Sequence, residues 1–366
     1  MSSQWFSYYA QTVPGAEEIA WLEIRWRLPG VKFGEYMFAK EQNGIVTFAY
    51  QGDMADVQQL ETVEEVFLQA LSVPKLSRGK RDLTQIRELV TKAEDLGRAG
   101  NQLMRFRQFN RPPAYRVVSR KFGKHEYSLK DLQKAVLQGM ETRYPRWMPV
   151  VDGAQVELGV DLLGSHLLCG FNITDKQARK GRTLQQKGGE TIRPSLAAAL
   201  VILTEPEAED VFLDPLCGNG RLLYTRRLLG RYGRLLGADP SPEQLALATE
   251  NLVTRRKGQL PESITLQPWT EEGVLWAAGS VDKAATILPD TAQVGSEQEM
   301  KRLYTAVFQE MARVLRPDGR AVILSREYDQ VKASLRQQPT LEIQTGYSVK
   351  VGAQWGRIYI IKRLAA

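Results

Sequence analysis

Cysteine is nearly absent from this sequence: Cys169 and Cys217 are its two, beside two histidines, in 366 residues. Cysteines so few and so far apart make neither a disulfide framework nor a zinc cluster. They predict a reducing compartment, the cytoplasm, and no metal site. Long hydrophobic runs are missing as well. No stretch of about 18 apolar residues occurs, so no membrane-spanning helix is predicted. The opening MSSQWFSYYAQTVPG lacks a basic segment followed by an apolar core, which predicts no secretory signal. Acid is missing from one long segment. From Arg98 to Lys124 the chain carries Arg98, Arg105, Arg107, Arg111, Arg116, Arg120, Lys121 and Lys124, with no Asp or Glu among them.

The composition is otherwise ordinary for a globular protein: 43% hydrophobic and 25% charged residues. The length predicts two or three domains. A net charge of +7 permits a polyanionic partner without requiring one. Phe106, Phe109, Tyr115 and Phe122 interleave the acid-free segment, and Lys176, Arg179, Lys180, Arg182 and Lys187 form a second basic stretch. Cations for phosphates and planar groups for unpaired bases are what nucleic-acid binding needs. The plainer alternative is a solvated basic face whose aromatics are core. Two basic stretches flanking one domain favour nucleic acid.

Apolar spacing predicts an α+β first half. Strands are expected at 6–13, 35–50 (a hairpin turning at Asn43-Gly44) and 114–123, with two more around Gly164-Ser165. Helices are expected at 16–28, 54–71, 82–96 and 128–144. Polar, glycine-containing residues 175–192 read as a basic linker between domains at 1–174 and 193–366. Beyond it the pattern alternates. Helices at 193–204, 220–230, 242–256 and 299–315 separate strands at 211–215, 234–240, 282–288 and 320–325, and a hairpin at 341–363 follows. That is an α/β class sequence: a Rossmann-like, doubly wound parallel sheet with an antiparallel final hairpin.

One motif carries chemistry. The strand VFLD runs into Pro215-Leu216-Cys217-Gly218-Asn219-Gly220 and then a helix. Gly218 and Gly220 permit a tight turn and a close ligand. The next strand ends at Asp239, about 20 residues on, where a carboxylate can accept from both hydroxyls of an adenosine ribose. GxG is a poor dinucleotide fingerprint, and without a Lys-Ser/Thr pair it is no phosphate loop. Asp214, just before the glycines, would repel a pyrophosphate and could bind the amino group of a methionine moiety. S-adenosylmethionine is therefore favoured over NAD.

In these residues the chain resembles a known family. RPSLAAALVIL, VFLDPLCGNGRLL, GADPSPEQLALATENL and SVDKAATILP followed by GSEQEMKRLYTAVFQEMARVLRPDGRAVILS resemble the methyltransferase domain of THUMP-containing RNA guanine-N2 methyltransferases. YYAQTVPGAEEIAWLEI resembles their N-terminal ferredoxin-like segment, and YRVVSRKFGKHEYSLKDLQKAV the core of a THUMP domain. The resemblance covers nearly the whole chain. It implies methyl transfer from S-adenosylmethionine to an exocyclic guanine amine, usually on tRNA and sometimes on rRNA, with no metal; a monomer is expected, though the sequence leaves oligomeric state open. By position, Asp214, Cys217, Gly218 and Gly220 would line the methionine end of the cofactor, with Arg193 and Ser195 nearby, and Asp239 would hold the ribose. Arg116, Arg120, Lys121, Lys124 and His125 would be the RNA-backbone candidates.

The sequence also departs from the family. Where members usually carry Asn/Asp-Pro/Leu-Pro-Tyr/Phe-Gly, this chain has Ile287-Leu288-Pro289-Asp290-Thr291. The polar residue should orient the target amine and the aromatic should stack on the flipped base. Ile287 cannot accept a hydrogen bond and Asp290 cannot stack. Asp290, aided by Gln293, is the candidate substitute acceptor. Arg221 replaces a usual Thr, and Thr270 stands where an acid usually meets the adenine amine. Two readings follow: an active RNA methyltransferase with a rebuilt loop, or a catalytically silent RNA-binding paralogue. A small-molecule or protein methyltransferase would leave the basic half without a task.

Overall fold

The computed structural model describes residues 4–39, 43–175, 184, 192–253, 258–269, 273 and 276–365. Internal contacts divide the chain into Met1–Gln177 and Ala178–Ala366.

The N-terminal unit begins β1 (Phe6–Thr12), α1 (Glu17–Arg27), β2 (Lys32–Ala39), β3 (Asn43–Tyr50), α2 (Met54–Gln58), β4 (Glu65–Val73). These strands lie in the order β2-β3-β1-β4, every neighbour antiparallel, which is the ferredoxin-like βαββαβ arrangement. Then come α3 (Arg81–Lys92), α4 (Glu94–Phe106), β5 (Ala114–Phe122), α5 (Leu129–Arg143), β6 (Met148–Pro149), β7 (Val156–Leu163) and β8 (His166–Asn172). β8 pairs with β4, so the sheet continues through β8-β7-β5-β6 to eight strands. Ser128 and Asp131 form the reciprocal capping box that starts α5.

The helix expected over 54–71 is instead the short α2 followed by a strand. Long-range partners override the local period. Buried Glu23 of α1 accepts the backbone N–H groups of Glu61 and Thr62 and the Thr62 hydroxyl, at 2.6–3.0 Å, so those amides cannot serve a helix. Val66, Phe67 and Leu68 are then wholly buried in a strand that β1 and β8 pair on both edges. The helix expected over 82–96 also breaks, at Ala93, whose ψ of 124° is extended.

The C-terminal unit holds α6 (Pro194–Leu203), β9 (Val211–Asp214), α7 (Arg221–Leu228), β10 (Arg234–Asp239), α8 (Pro242–Leu252), β11 (Ile264–Pro268), β12 (Val281–Ile287), α9 (Thr291–Val294), α10 (Glu297–Val314), β13 (Leu315–Ser325), α11 (Tyr328–Leu335), β14 (Leu341–Val351) and β15 (Gln354–Arg363). Its seven-stranded sheet runs β11-β10-β9-β12-β13-β15-β14. The pairs from β11 to β13 are parallel, and β15 joins β13 and β14 antiparallel. β11 and α11 were not legible as elements in the sequence. α6, apolar all round, is buried from Ser195 to Leu203, as such a helix must be. The order reverses at β9, which has β10 on one side and β12 on the other. Crevices form at such switch points, outside the carboxyl ends of the strands.

Candidate functional site

Both carboxylates singled out in the sequence sit at carboxyl ends beside that switch point. Asp214 ends β9 and Asp239 ends β10, with Asp214 in register with Gly237. Gly237 must be glycine for this to pack: a Cβ there would stand 2.6 Å from Leu223 and 2.7 Å from Leu266. The turn after β9 is tied across to β10. Cys217 donates its N–H to the Ala238 carbonyl at 2.7 Å, and Gly218 donates to Asp239 Oδ2 at 2.8 Å. Asp239 Oδ1 accepts the Ser241 N–H at 2.9 Å. Each Asp239 oxygen thus spends one lone pair on the backbone and keeps another for a ligand hydroxyl. Burial raises its carboxyl above the ordinary value, and the two N–H donors hold the rise down.

The two turn glycines do different work. Gly218 has φ +50°, and a Cβ on it would meet nothing nearer than Gln244 Oε1 at 4.0 Å. Space for a ligand lies directly over that backbone. Gly220, with φ +82°, precedes α7, and its Cβ would press on Leu252 and Ala248 of α8 at 3.2–3.3 Å. Asp214 is 2% exposed. Burial pushes its carboxyl up to about 8, and the nearby Asp239 adds to the rise, while the Thr286 hydroxyl and the Leu216 N–H oppose it. A buried acid so displaced keeps its proton near neutral pH unless a cation comes to lie beside it. The Cys217 thiol is buried and pushed well above its ordinary range, so it lines the turn as an inert group. Among the described residues no cluster of His, Cys, Asp and Glu could hold a metal. Thr270 lies outside the described residues, as do the basic positions from Lys176 to Lys187.

The loop after β12 is firmly built. Leu288 donates its N–H to the Leu324 carbonyl at 2.9 Å. The Pro289 carbonyl accepts from the buried Tyr304 hydroxyl at 2.9 Å, and that hydroxyl also meets Ser325 Oγ at 2.9 Å. Asp290 and Gln293 form a capping box on α9, and Asp290 Oδ2 pairs with Arg326 at 3.3 Å. Thr291 donates to Glu327 through both its N–H and its hydroxyl at 3.2 Å. A cavity of about 150 Å³ opens here. Ile287, Leu288 and Leu324 line it, together with Arg193 at the start of α6, Gln293, Ser325, Arg326 and Lys350. The structure therefore brings Arg193 together with the first two positions of the altered motif. Ser195 is buried in α6. Tyr304, Gln293 and Arg326 were missed as site residues or given a minor part. Tyr304 reads as helix core, and nothing local announces its reach to Pro289.

In the N-terminal unit, Arg116 and Arg120 face carboxylates on the neighbouring strand. β5 and β7 run parallel with Arg116 opposite Glu157 and Arg120 opposite Asp161. Arg116 binds Glu157 at 2.5 Å, and Arg120 binds Glu65 at 2.7 Å and Asp161 at 3.5 Å. Lys121 donates to the Tyr127 carbonyl at 2.9 Å, and the His125 ring lies between the carbonyls of Gly123 and Gly164. Lys124 is exposed, as are Arg105, Arg107 and Arg111. Phe106, Phe109 and Tyr115 belong to the core or pack on it, as the plainer reading of those aromatics had it. A polar cavity of about 520 Å³ lies beside Arg107, Arg116, Glu157 and Asn172.

A doubly wound sheet with an acid-flanked glycine turn and a ribose-type acid at its switch point defines a class I methyltransferase domain. Residues 179–356, within the C-terminal unit, match the family described as UPF0020: RMKL-like, methyltransferase domain. The chain is 26% identical over 261 residues to tRNA (guanine(6)-N(2))-methyltransferase THUMP3 of Bos taurus, covering 68% of this chain and 51% of that one. It is 30% identical over 165 residues to U6 snRNA (guanine-N(2))-methyltransferase THUMPD2 of Bos taurus, covering 44% and 32%. The chain spans about half the length of the first of these relatives, or less. Among solved structures, TrmN from Thermus thermophilus superposes with a TM-score of 0.74 at 19% identity, over 99% of this chain and 100% of that one, a likeness of fold. The family uses S-adenosylmethionine. The open face over Gly218, the spare lone pairs of Asp239 and the buried Asp214 fit that group.

Proposed function

We propose that this protein is an S-adenosylmethionine-dependent RNA methyltransferase that modifies the exocyclic N2 amine of guanine, with tRNA as its substrate. The observation that carries the reading is the sharing of one switch point by the Gly218–Asp239 turn and the cavity at Ile287 and Leu288. The relatives named for guanine-N2 methylation of tRNA and of U6 snRNA supply the substrate class. When bound, the cofactor would supply an electrophilic methyl group: its carbon–sulfur bond would break as the carbon–nitrogen bond forms, and the methylated amine would then lose one proton to solvent. The chain's residues do the rest. Asp239 would hold the ribose hydroxyls, Asp214 would face the cationic end, and Gly218 would let the backbone approach. The loop after β12 keeps the base in place while apolar Ile287, Leu288 and Leu324 keep water from the amine. This is catalysis by proximity and orientation, with no covalent intermediate on the protein.

The exposed cations Arg105, Arg107, Arg111 and Lys124 are the natural first contacts for RNA phosphates. Arg116, Arg120 and Lys121 act in this reading through the surface they shape, since their charges already meet protein groups. The protein is taken to work as a cytoplasmic monomer on tRNA. The test is transfer of a labelled methyl group to unmodified total RNA. Label in the tRNA fraction, lost when S-adenosylmethionine is omitted and slower to appear at limiting cofactor when Asp239 is replaced, is the expected result. No transfer by protein that binds the cofactor would reject it.

A further inference from the structure

The loop after β12 presents the apolar side chains of Ile287 and Leu288 to the cavity, so a side-chain acceptor for a target amine must come from elsewhere in the lining. Asp290 is the obvious substitute, and the geometry removes it. It does not line the cavity, and its carboxylate already accepts the Gln293 N–H at 3.1 Å and pairs with Arg326 at 3.3 Å. Ser325 Oγ is likewise engaged, accepting the Glu327 N–H at 2.9 Å while it meets Tyr304. Gln293 remains. Its side chain is exposed and lines the cavity beside Ile287 and Leu288. Its Oε1 accepts the Asp290 N–H at 3.0 Å. A backbone N–H as donor fixes which end of the carboxamide is oxygen. One lone pair of that oxygen is used and the second is available.

We infer that Gln293 is the acceptor that orients the exocyclic amine of the target guanine. The inference rests on the methyltransferase function proposed above. The capping box makes this possible. Asp290 holds the Gln293 backbone and Gln293 holds the Asp290 backbone, so the carboxamide is fixed before substrate arrives. The charge around it agrees. Among the described residues no carboxylate lines the cavity, whereas Arg193, Arg326 and Lys350 do. A neutral acceptor with a spare lone pair suits an uncharged exocyclic amine. Gln293 accepts a hydrogen bond and takes no proton.

The test compares 5′-GMP with 5′-IMP, which lacks only the N2 amine. Each is titrated calorimetrically into the full chain saturated with S-adenosylhomocysteine. GMP should bind about five- to tenfold more tightly, the ratio expected from one neutral hydrogen bond. Gln293→Leu should erase that preference, Gln293→Glu should keep it, and both should retain their affinity for S-adenosylhomocysteine. Equal binding of GMP and IMP, no measurable GMP binding, or a preference that survives in Gln293→Leu would overturn the assignment. Loss of S-adenosylhomocysteine binding in Gln293→Leu would also overturn it, by making the residue structural. A protein that keeps the GMP preference yet transfers no methyl to RNA would leave Gln293 in place and remove the function proposed above.

Discussion

Asp214 and Asp239 meet a ligand in different ways, and two experiments separate them. Asp239 offers lone pairs that its backbone donors leave over. Asp239→Ala is expected to weaken S-adenosylmethionine binding by at least about tenfold, because one charge-assisted hydrogen bond contributes roughly 1.5–3 kcal/mol. RNA binding should survive, and calorimetry and filter binding read the two separately. Asp214 offers a charge that burial suppresses. Its carboxyl is held near 8, against an ordinary 3.8, so the folded chain binds an extra proton between those values. Its contribution to stability is therefore present below 3.8 and is lost as pH rises through about 8. A cationic ligand reverses the preference. S-adenosylmethionine affinity should rise from about pH 6 to pH 8, and binding near pH 7 should release a proton. S-adenosylhomocysteine, which keeps the amino group, should also release a proton. Calorimetry in two buffers of different ionisation heat measures that release, and none at all would count against Asp214 as the cation's partner.

At the scale of elements, the loop after β12 depends on α10. Tyr304 reaches the Pro289 carbonyl and Ser325 together. Tyr304→Phe should destabilise the unit by roughly 1–3 kcal/mol, since it strands buried acceptors. It should also slow methyl transfer while leaving cofactor affinity intact. Denaturant melts and single-turnover rates check the two parts. In the N-terminal unit, the last turn of α4 and the stretch after it bear exposed Arg105, Arg107 and Arg111. Replacing all three by Ala should lower the slope of log affinity for RNA against log salt by about 0.7–0.9 for each phosphate that is no longer neutralised. Sequence legibility divides along the same line. The β14–β15 hairpin, α5 with its Ser128 cap, and the Asp214–Gly220 turn are local patterns and could be read directly. β4 could not, because Glu23 from α1 and pairing with β1 and β8 decide it. The engagement of Arg116 and Arg120 by Glu157, Asp161 and Glu65 was hidden for the same reason: strand register across more than 40 residues sets it.

For the molecule as a whole, the fold class was legible, and the strand order that creates the site was not. Alternating strands and helices announce a doubly wound sheet, but only the pairing of β9 with both β10 and β12 puts Asp214, Asp239 and Ile287 at one switch point. In the function proposed above, the two units, each with its own core, would take separate tasks, polynucleotide capture and methyl transfer. Both tasks serve the cell only if the altered loop still works. Nucleoside mass spectrometry of unmodified tRNA, incubated with the wild-type chain and S-adenosylmethionine, decides that. N2-methylguanosine should accumulate with time, be absent when S-adenosylmethionine is omitted, and form more slowly at limiting cofactor when Asp239→Ala replaces the wild type. Cofactor-bound, tRNA-bound protein that leaves every guanine unmethylated would mean that the loop is silent.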